Sequence, residues 1–301
     1  MYLHGGAAGK SDEQEKYGSG SAQKGRMNKG CAGFHRVPVD SFSIIPTLYY
    51  FSNGTERCYS VFGERKCDMR KKTFADNFRI GSAQDLIDAI HELGFVPFFE
   101  NPIRGFSLEE HIARGCWYYD GDDGFWPAWE WKGPVIRASR CAYGKFIGDK
   151  AVYISPEWFP DFANYRRDGY DFDARYDDGL ASYGDKRLYD LVDSSGPILS
   201  RQLKKLGDYR KGGRKGFDGS VTRLQRQCYV LISDFRYAVD KTGKEYGWGL
   251  AEYSTPEHFL GETFTKKVYE RTPEESYERL AAHFKRILPG ADDKLIAKLL
   301  R

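Results

Sequence analysis

Seven consecutive residues, Trp126-Pro127-Ala128-Trp129-Glu130-Trp131-Lys132, put three flat aromatic faces, a carboxylate and an ammonium side by side. Such a set can stack on a planar ring, polarise a neighbouring bond and hold an anion. Read as an extended segment, the run turns Trp129 and Trp131 to one face and Glu130 and Lys132 to the other. Glu130 is the candidate catalytic carboxylate. Tyr143, Lys145, Glu157 and Trp158, from the stretch that follows, are candidates to line a pocket with Trp129, Trp131 and Lys132. The same tryptophans also suit a core, because they bury more area than any other side chain. Glu157, just after Pro156, also fits the first turn of a helix, where the dipole favours a carboxylate whatever its function.

A second constellation is electrostatic. Residues 201–226 hold nine basic side chains against only Asp208 and Asp218, whereas residues 157–193 hold ten acidic and five basic. Net charge is only +3, so the argument about partners is local. Lys204, Lys205, Lys211, Arg214 and Lys215, with Lys241 and Lys244 farther on, are candidates for phosphate contact. Arg223 and Arg226 are candidates for either phosphates or base edges. The bland alternative is a solvated face, but seven net charges gathered in 26 residues are not interspersed as a solubilising surface would be.

Other chemistries find little footing. His111 and His258 lack a partner at metal-ligand spacing, and no Cys-x-x-Cys pair occurs among the six cysteines, so no metal is expected. Gly212-Gly213-Arg214-Lys215-Gly216 lacks the Ser/Thr of a nucleotide-binding loop, and no organic cofactor is expected either. Residues 42–51 lean apolar but contain Pro46 and are too short to span a bilayer, so no membrane partner is expected. The glycine-rich opening Met1–Lys10 has no apolar leader, and the sparse cysteines fit a reducing, cytoplasmic setting.

Several elements are needed to position these groups. Residues 1–68 show no sustained period and are read as a disordered or mis-assigned extension, with Met69 as the natural start. From 69 to 182 the pattern is an α/β domain. Ser82 caps a helix stopped by Gly94, and Phe95–Phe99 make a buried strand. Ser107 and Glu110 form a capping box for a helix ending at Gly115, and Cys141–Ile154 alternate as a hairpin around Gly148-Asp149. Tyr143, Lys145 and Ile147 share one face of its first strand, and a helix starts at Pro156. From 183 to 262 the order is a helix over 185–192, a second helix capped by Ser200, a third lined by Phe217, Val221 and Leu224, and a hairpin of 229–235 with 246–253. That is the order of a winged helix, whose third helix can enter a major groove while the wing touches phosphate. Thr272-Pro273-Glu274-Glu275 opens the closing helices of 263–301. The expected fold is α+β, predominantly α.

Within this frame, Gly196-Pro197-Ile198-Leu199-Ser200, Leu203-Lys204, Phe217, Leu224-Gln225, Gly243, Tyr246-Gly247-Trp248 and Tyr253 resemble the winged-helix segment of AlkZ-related proteins. These are distant relatives of the AlkZ (YcaQ) type of DNA glycosylase. Trp129-Glu130-Trp131-Lys132, Tyr143-Gly144-Lys145-Phe146, Ser155-Pro156-Glu157-Trp158-Phe159 and Arg166-Arg167 extend the likeness over roughly 73–301. The resemblance implies tandem winged helices forming a basic surface over double-stranded DNA, damaged DNA included, and excision of alkylated or crosslinked bases. Those enzymes carry a Gln-x-Gln or Gln-x-Asp motif in the N-terminal half. Here the only Gln-x-Gln is Gln225-Arg226-Gln227, in the C-terminal half, so the catalytic role does not carry over to it. A non-catalytic DNA-binding regulator and a protein-docking module are the alternatives.

Overall fold

The computed structural model describes residues 72–117, 127–243 and 245–301, together with three backbone strands nearer the N-terminus. Those strands, β1 (Tyr49–Ser52), β2 (Thr55–Ser60) and β3 (Gly63–Arg65), form an antiparallel meander where the sequence shows no sustained period. The rest of the expected 1–68 extension lies outside the described residues, as do Trp126 and Lys244. The chain divides after Cys67 into two units, and the second carries every candidate residue.

Ser82 caps α1 (Ala83–Leu93) by accepting from the Asp85 N–H at 3.1 Å, and Gly94 at φ 79° ends it before β4 (Phe95–Pro97). Ser107 caps α2 (Leu108–His111), and Glu110 accepts from Ser107 Oγ (2.7 Å) and from the Gly105 N–H (2.6 Å). This helix does not run on to Gly115. Ile112 is drawn into a bridge with Ile80, with the Ile80 N–H donating to the His111 carbonyl at 2.9 Å. Gly115 falls instead in a separate turn, α3 (Arg114–Trp117).

The tryptophan segment is helical rather than extended. Trp131 joins α4 (Pro127–Glu130) to α5 (Lys132–Ser139), and the backbone closes through Trp131 N–H to Pro127 O (3.0 Å) and Val135 N–H to Trp131 O (2.8 Å). Pro127 sits at the first helical position, where its missing N–H has no intrahelical partner to lose. Helical spacing separates Trp129 from Trp131 and brings Trp129 beside Lys132, three residues on.

The hairpin forms as β5 (Ala142–Ile147) and β6 (Lys150–Ile154), with Gly148 and Asp149 both at φ 57° in the tight turn. A bulge between Gly144 and Ile147 breaks the alternation, so Tyr143 is buried while Lys145 faces water. The next helix starts three residues later than expected. Residues 156–158 form a turn and α6 spans Phe159–Arg167, because Pro160 lacks an N–H and is tolerated only in the opening turn. Glu157 therefore stands exposed ahead of the helix, not within its first turn.

After α7 (Phe172–Asp177) come α8 (Tyr183–Ser195), β7 (Ile198–Leu199), α9 (Ser200–Leu206), α10 (Phe217–Arg226), β8 (Leu231–Val239) and β9 (Glu245–Ser254). Ser200 is the first helical residue of α9 and not its cap. Leu199 is held extended by pairing with Glu252, which fixes the boundary there. Four helices close the chain: α11 (Pro256–Leu260), α12 (Glu262–Lys267), α13 (Pro273–Ile287) and α14 (Asp293–Leu300). The Thr272–Glu275 capping box is present at the start of α13.

The architecture is α+β with small antiparallel sheets, and one topology occurs twice. Sheet β4-β6-β5 and sheet β7-β9-β8 each place the return strand of a hairpin in the middle. Each is built from helix, strand, helices and hairpin in the same order along the chain. Two hydrophobic cores result. The larger includes Ile90, Phe95, Tyr153, Phe162 and Phe284; the smaller includes Phe172, Leu188, Leu203, Val221, Leu224 and Tyr229. Among the described residues no helix is long and apolar enough to cross a membrane.

Candidate nucleic-acid interface and aromatic cage

At the start of α5, Lys132 Nζ lies 4.4 Å from the Trp129 ring centroid, 4.5 Å from Phe235 on β8 and 5.8 Å from Phe98. The rings continue outward. Phe98 packs edge-on to Trp129 at 5.0 Å, Trp117 lies 5.4 Å from Phe98, and Tyr143 lies 5.8 Å from Phe235 and 4.5 Å from Tyr153. Among the described residues the buried Tyr153 hydroxyl has no hydrogen-bond partner. Removal from water lowers the Lys132 pKa to about 8, with nearby Glu130 pulling the other way. Glu130 itself is exposed. A helix that places an ammonium against π faces gains cation–π attraction of about 0.5–2 kcal/mol, more as water is excluded.

Close backbone approach seats the cage. Gly133 has no room for a side chain, because a Cβ there would lie 2.8 Å from Asp234 Oδ1. Asp234, buried on β8, is ion-paired to Arg137 of α5 and to Arg236 at 3.1 Å, which locks α5 onto the second sheet.

The expected pocket does not gather all its members. Trp131 is partly buried against the larger core, Lys145 is exposed on the bulge, and Glu157 is exposed beyond β6. Trp158 stacks on His283 at 3.8 Å, with Arg279 over its ring at 5.4 Å. Trp129, Lys132 and Tyr143 belong to the cluster around Phe98 and Phe235, and Glu130 flanks it.

The basic block splits into two populations. Arg223 makes a two-pronged pair with Asp185 (2.9 and 2.7 Å) and Arg226 one with Asp149 of the hairpin turn (3.0 and 3.0 Å). Burial alone raises the pKa of Asp185, but hydrogen bonds from Arg223, Ser220 and Ser182 outweigh it and hold the carboxyl below its ordinary value. Lys204 lies 4.7 Å from the Phe217 ring and 3.6 Å from exposed Asp218, a pair of little net energy in water. Arg201, Lys205, Lys211, Arg214, Lys215 and Lys241 are exposed and make no ion pair among the described residues. Five of them lie on α9 and the loop after it. That loop is folded on itself: the Arg214 N–H donates to Asp208 O at 2.8 Å and the Gly213 N–H to Arg210 O at 2.9 Å.

The first glutamine of the Gln-x-Gln has a structural occupation. Gln225 is buried, and its side-chain oxygen accepts the Lys145 N–H at 2.9 Å, the donor freed by the bulge. Gly144 leaves the space, since a Cβ there would sit 2.9 Å from that oxygen.

Sequence reasoning missed the most buried cation. Arg167, 1% exposed, donates to Glu257 (2.7 Å), Tyr269 Oη (3.0 Å) and Cys228 O (2.8 Å), and it lies 4.6 Å from the Tyr229 ring centroid. Adjacent Arg166-Arg167 is visible in the chain, but no local pattern marks its partners 61 to 102 positions away. Burial pushes the Cys141 and Cys228 thiols up to about 12, so neither supplies a thiolate nucleophile. Among the described residues no cluster of His, Cys, Asp and Glu side chains could hold a metal ion.

This arrangement of small antiparallel sheets under helices can be set beside known proteins. The family described as AlkZ related matches residues 80–301, most of the chain, and the protein belongs to that family. No curated protein and no solved structure matches the chain.

Proposed function

We propose that the protein binds double-stranded DNA through the cationic ridge of α9 and its following loop. In this reading α8, β7, α9, α10 and the β8–β9 hairpin form a winged helix, and α1, β4, α5 and the β5–β6 hairpin form a second one ahead of it. The observation that carries the reading is the absence of ion pairs, among the described residues, for Arg201, Lys205, Lys211, Arg214 and Lys215. A cation already held by a carboxylate has less to gain from a phosphate; an unpaired one releases counterions from the duplex. Arg223 and Arg226 then serve to orient α10, their guanidiniums being occupied by Asp185 and Asp149. Family membership supports the same partner.

Anisotropy titrations of a labelled duplex at several salt concentrations test the ridge. Replacing Lys205, Lys211, Arg214 and Lys215 together by Gln should flatten the slope of log K against log salt by roughly 3 to 4. An unaltered slope contradicts the reading.

A second reading, excision of a damaged base, is favoured by the cage, where aromatic faces, a lysine and the flanking Glu130 meet. Incubation with duplexes carrying alkylated purines, followed by detection of abasic sites, separates it from a non-catalytic module. Release abolished in Glu130→Gln with binding intact marks an enzyme, and binding without release marks the module.

A further inference from the structure

We propose that Lys132 Nζ is an amine nucleophile that forms an imine with an aldehyde-bearing deoxyribose, the ring-opened sugar of an abasic site. The inference rests on the DNA reading above for its source of substrate and on the cage for its chemistry. Lys132 differs from Arg167, the most buried arginine among the described residues, in what surrounds its nitrogen. Arg167 is met by a carboxylate, a phenol and a carbonyl. Lys132 is met by the faces of Trp129, Phe235 and Phe98, and it makes no hydrogen bond or ion pair among the described residues. π faces stabilise the ammonium without accepting a proton from it or fixing its geometry, and they offer stacking surfaces to a ring placed next to it. The side chain is only partly exposed, so bulk water does not fully solvate the charge. With its pKa at about 8, the group is neutral in roughly one molecule in ten at pH 7, about 300 times the fraction of an ordinary lysine.

The chemistry balances without a cofactor. The nitrogen lone pair attacks C1′ of the aldehyde, and a proton passes from nitrogen to the alkoxide. The carbinolamine then loses water as its C–O bond breaks, leaving a C=N bond that water hydrolyses back. Added cyanoborohydride supplies hydride to that carbon and fixes the adduct as a secondary amine.

The full chain is incubated with cyanoborohydride and either 2-deoxyribose 5-phosphate or a duplex bearing one abasic site, and the adduct is located by peptide mass. Both probes should label Lys132 at least about tenfold above any other lysine, with a rate that rises toward about pH 8 and then levels off. Lys132→Arg should lose the adduct while keeping the ring contacts and the intact-duplex affinity. Phe235→Leu should move the levelling-off to higher pH by rehydrating the amine. Labelling spread evenly over surface lysines, an adduct that survives Lys132→Arg, or no adduct from either probe overturns the proposal. Selective labelling by the free sugar phosphate in a protein without affinity for intact duplex supports the amine and sinks the ridge instead, so the two failures are distinguishable.

Discussion

Arg167 and Lys132 are both cations taken out of water, and the fold treats them in opposite ways. Around Arg167, groups from α11, from the segment after α12 and from the approach to β8 supply Glu257, Tyr269 and the Cys228 carbonyl, and its pKa is raised above an already high value. Around Lys132, the contacts among the described residues are the rings of Trp129 on α4, Phe235 on β8 and Phe98 just after β4, and burial outweighs the charge of nearby Glu130 to bring its pKa to about 8. A buried charge whose terminal nitrogens meet a carboxylate and a carbonyl holds structure together; one taken out of water without a carboxylate or carbonyl in contact keeps its proton loosely, because desolvation outweighs what the π faces return. The exposed cations Arg201, Lys205, Lys211, Arg214 and Lys215 are a third case, charges in water that make no ion pair among the described residues.

The largest test of this contrast is Arg167→Met. Losing the buried member of this pair leaves the partly exposed Glu257 and the Cys228 carbonyl without their donor, and chemical denaturation should report about 3 kcal/mol of lost stability, the low end for a broken buried pair. The four-site Gln variant of the ridge should behave in the reverse manner: the flattened salt dependence of duplex binding described above, with stability in the same denaturation assay within about 0.5 kcal/mol of the parent. Asp185→Asn lies between them. It weakens a partly exposed two-pronged pair and should cost about 1–2 kcal/mol, less than a fully buried one would, with the loss apparent at neutral pH. Because the Asp185 pKa is depressed, its contribution is present above the ordinary carboxylate value and vanishes as pH falls through the lower folded one. The difference between parent and variant should therefore close in strong acid.

The smallest effect is a change of shape. With a folded pKa of about 8 against an ordinary 10.5, Lys132 binds fewer protons in the native state than in the unfolded chain across that interval. It therefore contributes stability that rises as pH climbs from about 8 toward 10.5. Lys132→Met lacks this rise, so any stability advantage it has over the parent below pH 8 should shrink across the window. A constant difference from pH 7 to 10 would show that Lys132 is not desolvated.

Much of the fold is legible in the chain because its signals are local. Ser82 with Gly94, Ser107 with Glu110, Gly148-Asp149 and Thr272 with Glu275 each fix an element through neighbours within a few residues. Local reading failed where a distant partner decided the outcome. Ile80 stopped α2, Glu252 held Leu199 extended, and Gln225 took the donor freed by the bulge at Lys145. In the tryptophan segment alternation suggested a strand, yet Pro127 at a first helical position was a signal available in the sequence. Lys132 was legible as a candidate by type, but its cage was not, since Phe98 and Phe235 come from 34 residues before and 103 after. The basic block was legible as composition; that Arg223 and Arg226 are ion-paired depended on Asp185 and Asp149 being near in space.

The grip of Gln225 and Arg226 on the first hairpin has a practical consequence for anyone trimming this chain. A truncated piece beginning at Tyr183 would strip the cover from the inner side of α10, leaving a carboxamide with no donor and the guanidinium without its carboxylate. It would also discard Phe172, which fills the smaller core from outside the cut. Such a piece should express poorly and melt without a sharp transition, whereas one starting ahead of Thr73 keeps both halves of the clasp.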